Sequence, residues 1–124
     1  MRGKYFHNAL ADRAQKIFSN NGWQVHKEYG CRRNGVTTYF DLYAVKENHV
    51  IACEIETTSR HIIDNVAKAL STGICLWVVV PTRAVLCQAK QKLSSSTIDT
   101  NQKTVRILLF SQLETEVKHF KKIY

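Results

Sequence analysis

The chain has 124 residues, 44% of them hydrophobic and 23% charged, a balance that excludes a disordered or fibrous protein and suits one domain with its own core. Eighteen Lys and Arg against ten Asp and Glu give a formal charge of +8, which points to a polyanionic partner without separating nucleic acid from an anionic membrane surface. No run approaches the ~18 apolar residues of a membrane span, Met1 to Lys4 leads into no signal core, and Cys31, Cys53, Cys75 and Cys87 form no close metal or redox pair, so a soluble, cytoplasmic protein with reduced thiols is expected.

Residues 8–20 carry Ala9, Leu10, Ala14, Ile17 and Phe18 at helical spacing, with Asp12, Arg13 and Lys16 elsewhere on the wheel, which predicts an amphipathic helix ended by Asn20-Asn21-Gly22. Residues 23–27 then alternate like a strand, and 29–35 read as a basic loop. Two runs rich in β-branched and aromatic residues, 37–45 and 49–56, are joined by Lys46-Glu47-Asn48 and predict a hairpin. A helix is expected from an N-cap at Ser59 through Leu70, with Ile62, Ile63, Val66, Ala69 and Leu70 on one stripe and Gly73 at its C-terminal cap. Residues 74–80 form a continuous apolar strand ended by Pro81. Beyond it, 83–93 reads as helix, 94–102 as a polar loop, 104–110 as another apolar strand and 112–121 as a closing helix. The order α-β-β-β-α-β-α-β-α implies a single α/β domain over residues 1–124 with a central mixed β-sheet flanked by helices.

Three acids interrupt the apolar hairpin strands: Asp41 within Tyr39-Phe40-Asp41-Leu42-Tyr43, and Glu54 and Glu56 within Ile51-Ala52-Cys53-Glu54-Ile55-Glu56. Alternation puts Glu54 and Glu56 on one face and the short turn folds Asp41 beside them, on a face shared with Tyr39, Tyr43, Val50 and Ala52. Like charges this close raise one another's pKa unless a cation lies among them, and a hard divalent ion with oxygen ligands, Mg²⁺ or Mn²⁺, answers that need. The plain alternative is a solvated hairpin face whose acids pair with Lys46, Arg60 or Lys68. Glu28 reads as either an outer metal ligand or an exposed strand end.

With a helix, the strand Gly22-Trp23-Gln24-Val25, then Phe40-Asp41-Leu42-Tyr43-Ala44, then Ile51-Ala52-Cys53-Glu54-Ile55-Glu56 and a second helix, residues 8–81 resemble the αβββαβ core of the PD-(D/E)xK, or restriction endonuclease-like, nuclease superfamily, with 82–124 as an α-β-α extension. The resemblance implies that Asp41 and Glu54 bind a divalent metal. It implies that Glu56, standing where the superfamily usually has lysine and matching the Glu-x-Glu variant of some restriction endonucleases, helps to bind the metal or activate water. In some members the lost lysine reappears on the following helix, where Asn65 and Lys68 stand here. Asn65 borders the apolar stripe and is the better placed to reach the sheet edge, whereas Lys68 lies further round the wheel.

The implied activity is metal-assisted hydrolysis of DNA phosphodiesters by an endonuclease, as a homodimer where both strands of a duplex are cut. A second class of function is a nuclease-like module that has lost catalysis and binds nucleic acid or a protein, which Glu56 in the lysine position favours. Phosphate contacts fall to Lys27, Arg32, Arg33 and Arg60, joined by Lys4, Arg13 and Lys68. Of these, Arg32-Arg33 is the sharpest pair, since two guanidinium groups on one inter-strand loop can each meet a phosphate. Lys118, His119, Lys121 and Lys122 read as a solvated tail. Histidines too scattered for a metal pair, no Gly-x-Ser-x-Gly turn around Ser59 and no Gly-x-x-x-x-Gly-Lys loop disfavour zinc, serine-nucleophile and NTP chemistry.

Overall fold

A strand made only of apolar residues is satisfied when both its faces are covered, and Leu76–Val80 imposes that requirement on the whole chain. The structure, a computed structural model, describes residues 2–33, 35–96 and 104–120. Its elements run α1 (Arg2–Asn20), β1 (Gln24–Arg33), β2 (Val36–Lys46), β3 (His49–Ile55), α2 (Ile62–Thr72), β4 (Leu76–Val80), α3 (Arg83–Ser94), β5 (Val105–Leu109) and α4 (Phe110–Lys118). The five strands form one mixed sheet in chain order, antiparallel through β1-β2-β3 and parallel through β3-β4-β5. This is the predicted α/β architecture.

Helices cover both faces. On one side α1 and α4 bring Phe18 and Leu113 against Leu42, Ile51, Cys53 and Trp77; on the other α2 and α3 bring Val66 and Ala89 against Phe40, Ala52, Leu76 and Val78. Gly73 closes α2 at φ 71°, the left-handed cap anticipated from the sequence, and its N–H donates to Ala69 O. No described helix is long and apolar enough to cross a membrane.

Several boundaries differ from expectation. The first helix starts at Arg2 rather than at residue 8, the hairpin turn is the two-residue Glu47-Asn48 because Lys46 already pairs with His49, and α4 starts at Phe110, straight out of β5. Ser59 does not cap α2: His61 holds that position without a side-chain bond, and Ser59 is drawn towards α3, its hydroxyl donating to Gln88 Oε1 and its carbonyl accepting Lys92 Nζ. The expected 94–102 loop is described only as far as 96, and Lys121 and Lys122 lie outside the described residues.

The largest correction concerns 29–35. Residues 29–33 continue β1 instead of forming a loop, Asn34 lies outside the described residues and Gly35 is in a turn, and a long β1-β2 ribbon pairs from Gln24↔Val45 out to Arg33↔Val36. Its register is continuous, but its alternation reverses midway. Val25, Leu42 and Ala44 turn towards α1 and α4, whereas further out Cys31 and Phe40 turn towards α2 and α3. The switch falls where Glu28, at φ 51°, lies opposite Asp41, between the Lys27↔Leu42 and Tyr29↔Phe40 pairs. A left-handed residue costs a non-glycine side chain roughly 1–2 kcal/mol, so the reversal is held against local preference. Glu28→Val is therefore expected to be about 1–2 kcal/mol less stable than Glu28→Gly, because a β-branched residue tolerates that conformation worst. Urea denaturation of the two variants checks this, and equal midpoints would show that Glu28 does not carry the reversal.

Candidate functional site

The site forms where the backbone ladder between β2 and β3 stops. Pairing runs from Lys46↔His49 to Leu42↔Cys53, and one step further the carboxylates replace the missing rungs. Glu54 Oε1 accepts the Asp41 N–H at 2.7 Å, and Asp41 Oδ2 accepts the Ile55 N–H at 2.8 Å. Each acid thus satisfies an N–H on the other's strand that would otherwise be orphaned, at a cost of roughly 1–3 kcal/mol apiece. Beyond Glu54, the Glu56 N–H donates to Val79 O on β4, which keeps Glu56 in line with the sheet.

Helices from both faces supply the remaining groups. From α1, His7 Nε2 lies 3.0 Å from Asp41 Oδ2. From α2, Asn65 Nδ2 donates to Glu56 Oε1, and Lys68 Nζ donates to Tyr39 O at 2.7 Å while standing 3.6 Å from Glu54 Oε2 and 5.1 Å from the Phe40 ring centroid. Asn65 and Lys68, three residues apart, therefore reach adjacent acids. Lys68, though further round the wheel, reaches the site as Asn65 does, because the reversal at Asp41 brings Phe40 and the Tyr39 carbonyl beneath it. A cavity of about 380 Å³ opens between these elements, lined by His7, Asp41, Glu54, Glu56, Thr58 and Arg60 among others.

Burial and like charge dominate the electrostatics. Glu54, 6% exposed, has its pKa pushed up to about 7 by burial first and the Asp41 charge second, against the opposing pull of the Asp41 N–H and Lys68. Burial likewise raises Glu56, a shift that the Asn65 hydrogen bond resists. At His7 burial penalises the cation, yet the charge and hydrogen bond of Asp41 outweigh it and raise the imidazole above its usual range. Glu54 is thus buried rather than on a solvated hairpin face, while Asp41 and Glu56 are partly exposed and Lys68 pairs with Glu54 as the plain alternative allowed. Asp41 Oδ1, Glu54 Oε2 and one oxygen of Glu56 accept no described hydrogen bond, and these are hard donors of the kind magnesium takes. As they stand, no group of three or more His, Cys, Asp or Glu among the described residues is close enough to hold an ion.

Of the other predicted residues, Arg60 lines the cavity, but Lys27 does not: it is ion-paired with Asp12 of α1. Arg32 sits four residues beyond Glu28 near the ribbon tip, about 13 Å along a strand at ~3.3 Å per residue, with its guanidinium 3.3 Å from Thr37 Oγ1. The side chain of Arg33 lies outside those described. Tyr43, Val50 and Ala52 pack on the α2/α3 side as expected, whereas Tyr39 is 64% exposed, its place taken by Phe40 after the reversal. Glu28 is exposed and is not among the cavity-lining residues. His7, His61, Thr57 and Thr58 line the cavity without having been singled out. His7 lies before the expected helix 8–20, and its partner Asp41 lies 34 residues away, so nothing local marked it.

The raised groups set a pH dependence of stability. Glu54 ionises with a pKa of about 4.5 when unfolded and about 7 when folded, so the folded chain binds more protons in that window and the contribution is full below 4.5 and lost as the pH rises through 7. Glu56 and His7 are shifted in the same direction and have the same sign. In chelator, Glu54→Gln should flatten the decline between pH 4.5 and 7 by on the order of 3 kcal/mol. Guanidinium denaturation at half-unit pH steps tests this, and an unchanged slope would remove Glu54 as its source.

No family profile and no curated protein match the chain. Among solved structures it resembles a protein of unknown function, AF1548, with a TM-score of 0.56 at 13% sequence identity, covering 88% of this chain and 64% of that one. The chain thus spans 64% of the length of that neighbour, and the likeness concerns the fold alone.

Proposed function

We propose that the chain is a divalent-metal-dependent endonuclease hydrolysing DNA phosphodiesters, built like the PD-(D/E)xK nucleases in their Glu-x-Glu form. The observation that carries this reading is the reciprocal lock of Asp41 and Glu54, two carboxylates on adjacent strands that each accept an N–H of the other's strand and line one cavity. Asp41 and Glu54, with Glu56 beside them, would hold Mg²⁺ or Mn²⁺, and the ion supplies positive charge against the phosphate and a more acidic water.

The chain's own residues supply the rest. Lys68, with its ammonium 5.1 Å from the Phe40 ring centroid and beside Glu54, would meet a non-bridging phosphate oxygen. Glu56, one oxygen fixed by Asn65, is the carboxylate available to orient water and accept its proton. Arg60 lies at the cavity wall, and Arg32 lies four ribbon positions beyond the level of Glu28 and Asp41, about 13 Å along the strand, a span of about four nucleotides of one duplex strand at 3.4 Å each. A cut through both strands of a duplex calls for two such sites and hence a homodimer.

A second reading, a module that binds nucleic acid or a protein without cutting, is favoured by one observation: Asp41 and Glu54 each spend an oxygen on a strand N–H, and the described acids are not preassembled around an ion. Incubation with plasmid and with single-stranded circular DNA in Mg²⁺, Mn²⁺ or EDTA separates the two. Cleavage is expected only with metal, and Asp41→Ala and Glu54→Ala should each lower it by on the order of 10²-fold or more, the usual loss for one group that stabilises transition-state charge. Cleavage surviving both substitutions would overturn the site, and binding without cleavage under every condition would favour the second reading.

A further inference from the structure

Among the described residues four large hydrophobic side chains stand exposed: Tyr5 (80%), Phe6 (46%), Tyr29 (37%) and Tyr39 (64%). Scattered singly they would need no explanation. Tyr29 is stacked on Tyr43 at 4.2 Å between ring centroids, whereas the rings of Tyr5, Phe6 and Tyr39 have no such contact among the described residues. These three are adjacent in sequence to the site itself, Tyr5 and Phe6 immediately before His7, and Tyr39 two residues before Asp41, and the His7–Asp41 contact brings their two segments together.

The position of Tyr39 is built. Its neighbour Phe40 turns to the α2/α3 side, so alternation presents Tyr39 on the face that carries α1. Gly30, its cross-strand partner, leaves room for the ring: a Cβ there would stand 2.9 Å from Tyr39 Cε1. Its carbonyl is held by Lys68, the same ammonium that faces Glu54. Arg60 adds positive charge at the cavity wall, and Lys4, exposed, precedes Tyr5 in α1.

We propose that this site acts on nucleic acid whose bases are unpaired beside the cleaved bond, the bases stacking on Tyr39 and on Tyr5 or Phe6 while Lys68 and Arg60 meet the backbone. The inference rests on the nuclease reading and narrows its substrate class. Duplex DNA hides its base faces, so exposed rings gain nothing from it, whereas each unpaired base stacked on an aromatic side chain strengthens binding by about tenfold. A single strand also requires only one active site, so a lone protomer is sufficient.

The test is fluorescence anisotropy in EDTA, where cleavage does not intervene, with a labelled single-stranded 20-mer DNA and the blunt duplex of the same sequence. The unmodified chain should bind the single strand about tenfold or more tighter. Tyr39→Ala should remove about tenfold of single-strand affinity and leave the duplex unchanged, and Tyr39→Phe should retain it, since the ring and not the hydroxyl stacks. Gly30→Ala should reproduce the Tyr39→Ala loss with the ring still present but pushed aside. Equal affinity for the two DNAs, variants that weaken both equally, or variants that change only the oligomeric state by size exclusion would each overturn the proposal. Loss of the strand preference with metal-dependent cleavage intact refutes this inference alone; a strand preference without cleavage refutes the nuclease reading alone.

Discussion

Everything at the site depends on two hydrogen bonds that cross between strands in opposite senses, Asp41 N–H to Glu54 and Ile55 N–H to Asp41. An ordinary antiparallel ladder spends its N–H groups on carbonyls and leaves side chains to their own rotamers. Here carbonyls are replaced by carboxylates, which are stronger acceptors, so the backbone stays satisfied while two negative charges are fixed side by side. Two such charges in a partly dry place repel, and the groups around them answer that repulsion. Lys68 stands beside Glu54, His7 beside Asp41, and Asn65 on Glu56, each from a helix that has its own apolar reason to lie where it does.

Of the described basic side chains, Lys68 and Arg60 stand at this acidic pocket. Arg60 lies at the cavity wall, Arg32 at the ribbon end, and Lys27 is tied to Asp12. On the nuclease reading proposed above, a polyanion would be drawn by the field of the whole molecule and would meet the carboxylates in the cavity, where a cation would admit a phosphate. The left-handed Glu28 and the reversed alternation at Asp41 bring Phe40 under Lys68 and leave the Tyr39 ring exposed.

Much of this was legible in the residues. The apolar strand at 76–80, the Gly73 cap and the hairpin follow from composition and spacing, because each reflects an interaction within a few residues of chain. Asp41, Glu54 and Glu56 stood out for interrupting apolar strands, and they do line one cavity. What escaped reading has a common cause. The basic run at 29–35 reads as loop although residues 29–33 form the outer half of a ribbon whose phase has already reversed, and the reversal lies in a backbone angle at Glu28 that the letter Glu does not announce. His7 was invisible because its partner lies 34 residues away, and Ser59 was misassigned because Gln88 and Lys92 of a distant helix compete for it.

The amino-acid sequence by itself determined the layers, the order of the elements and the three acids set into apolar strands, since burial requirements and side-chain periodicity act locally along the chain. Only the tertiary structure decided which oxygen of each acid is committed to a strand N–H, that Lys68 reaches Glu54 as Asn65 reaches Glu56, and that a histidine from the first helix closes the pocket. Those outcomes depend on where the β2-β3 ladder ends and how α1 and α2 settle on opposite faces, and such long-range register is fixed by packing between elements far apart in the chain.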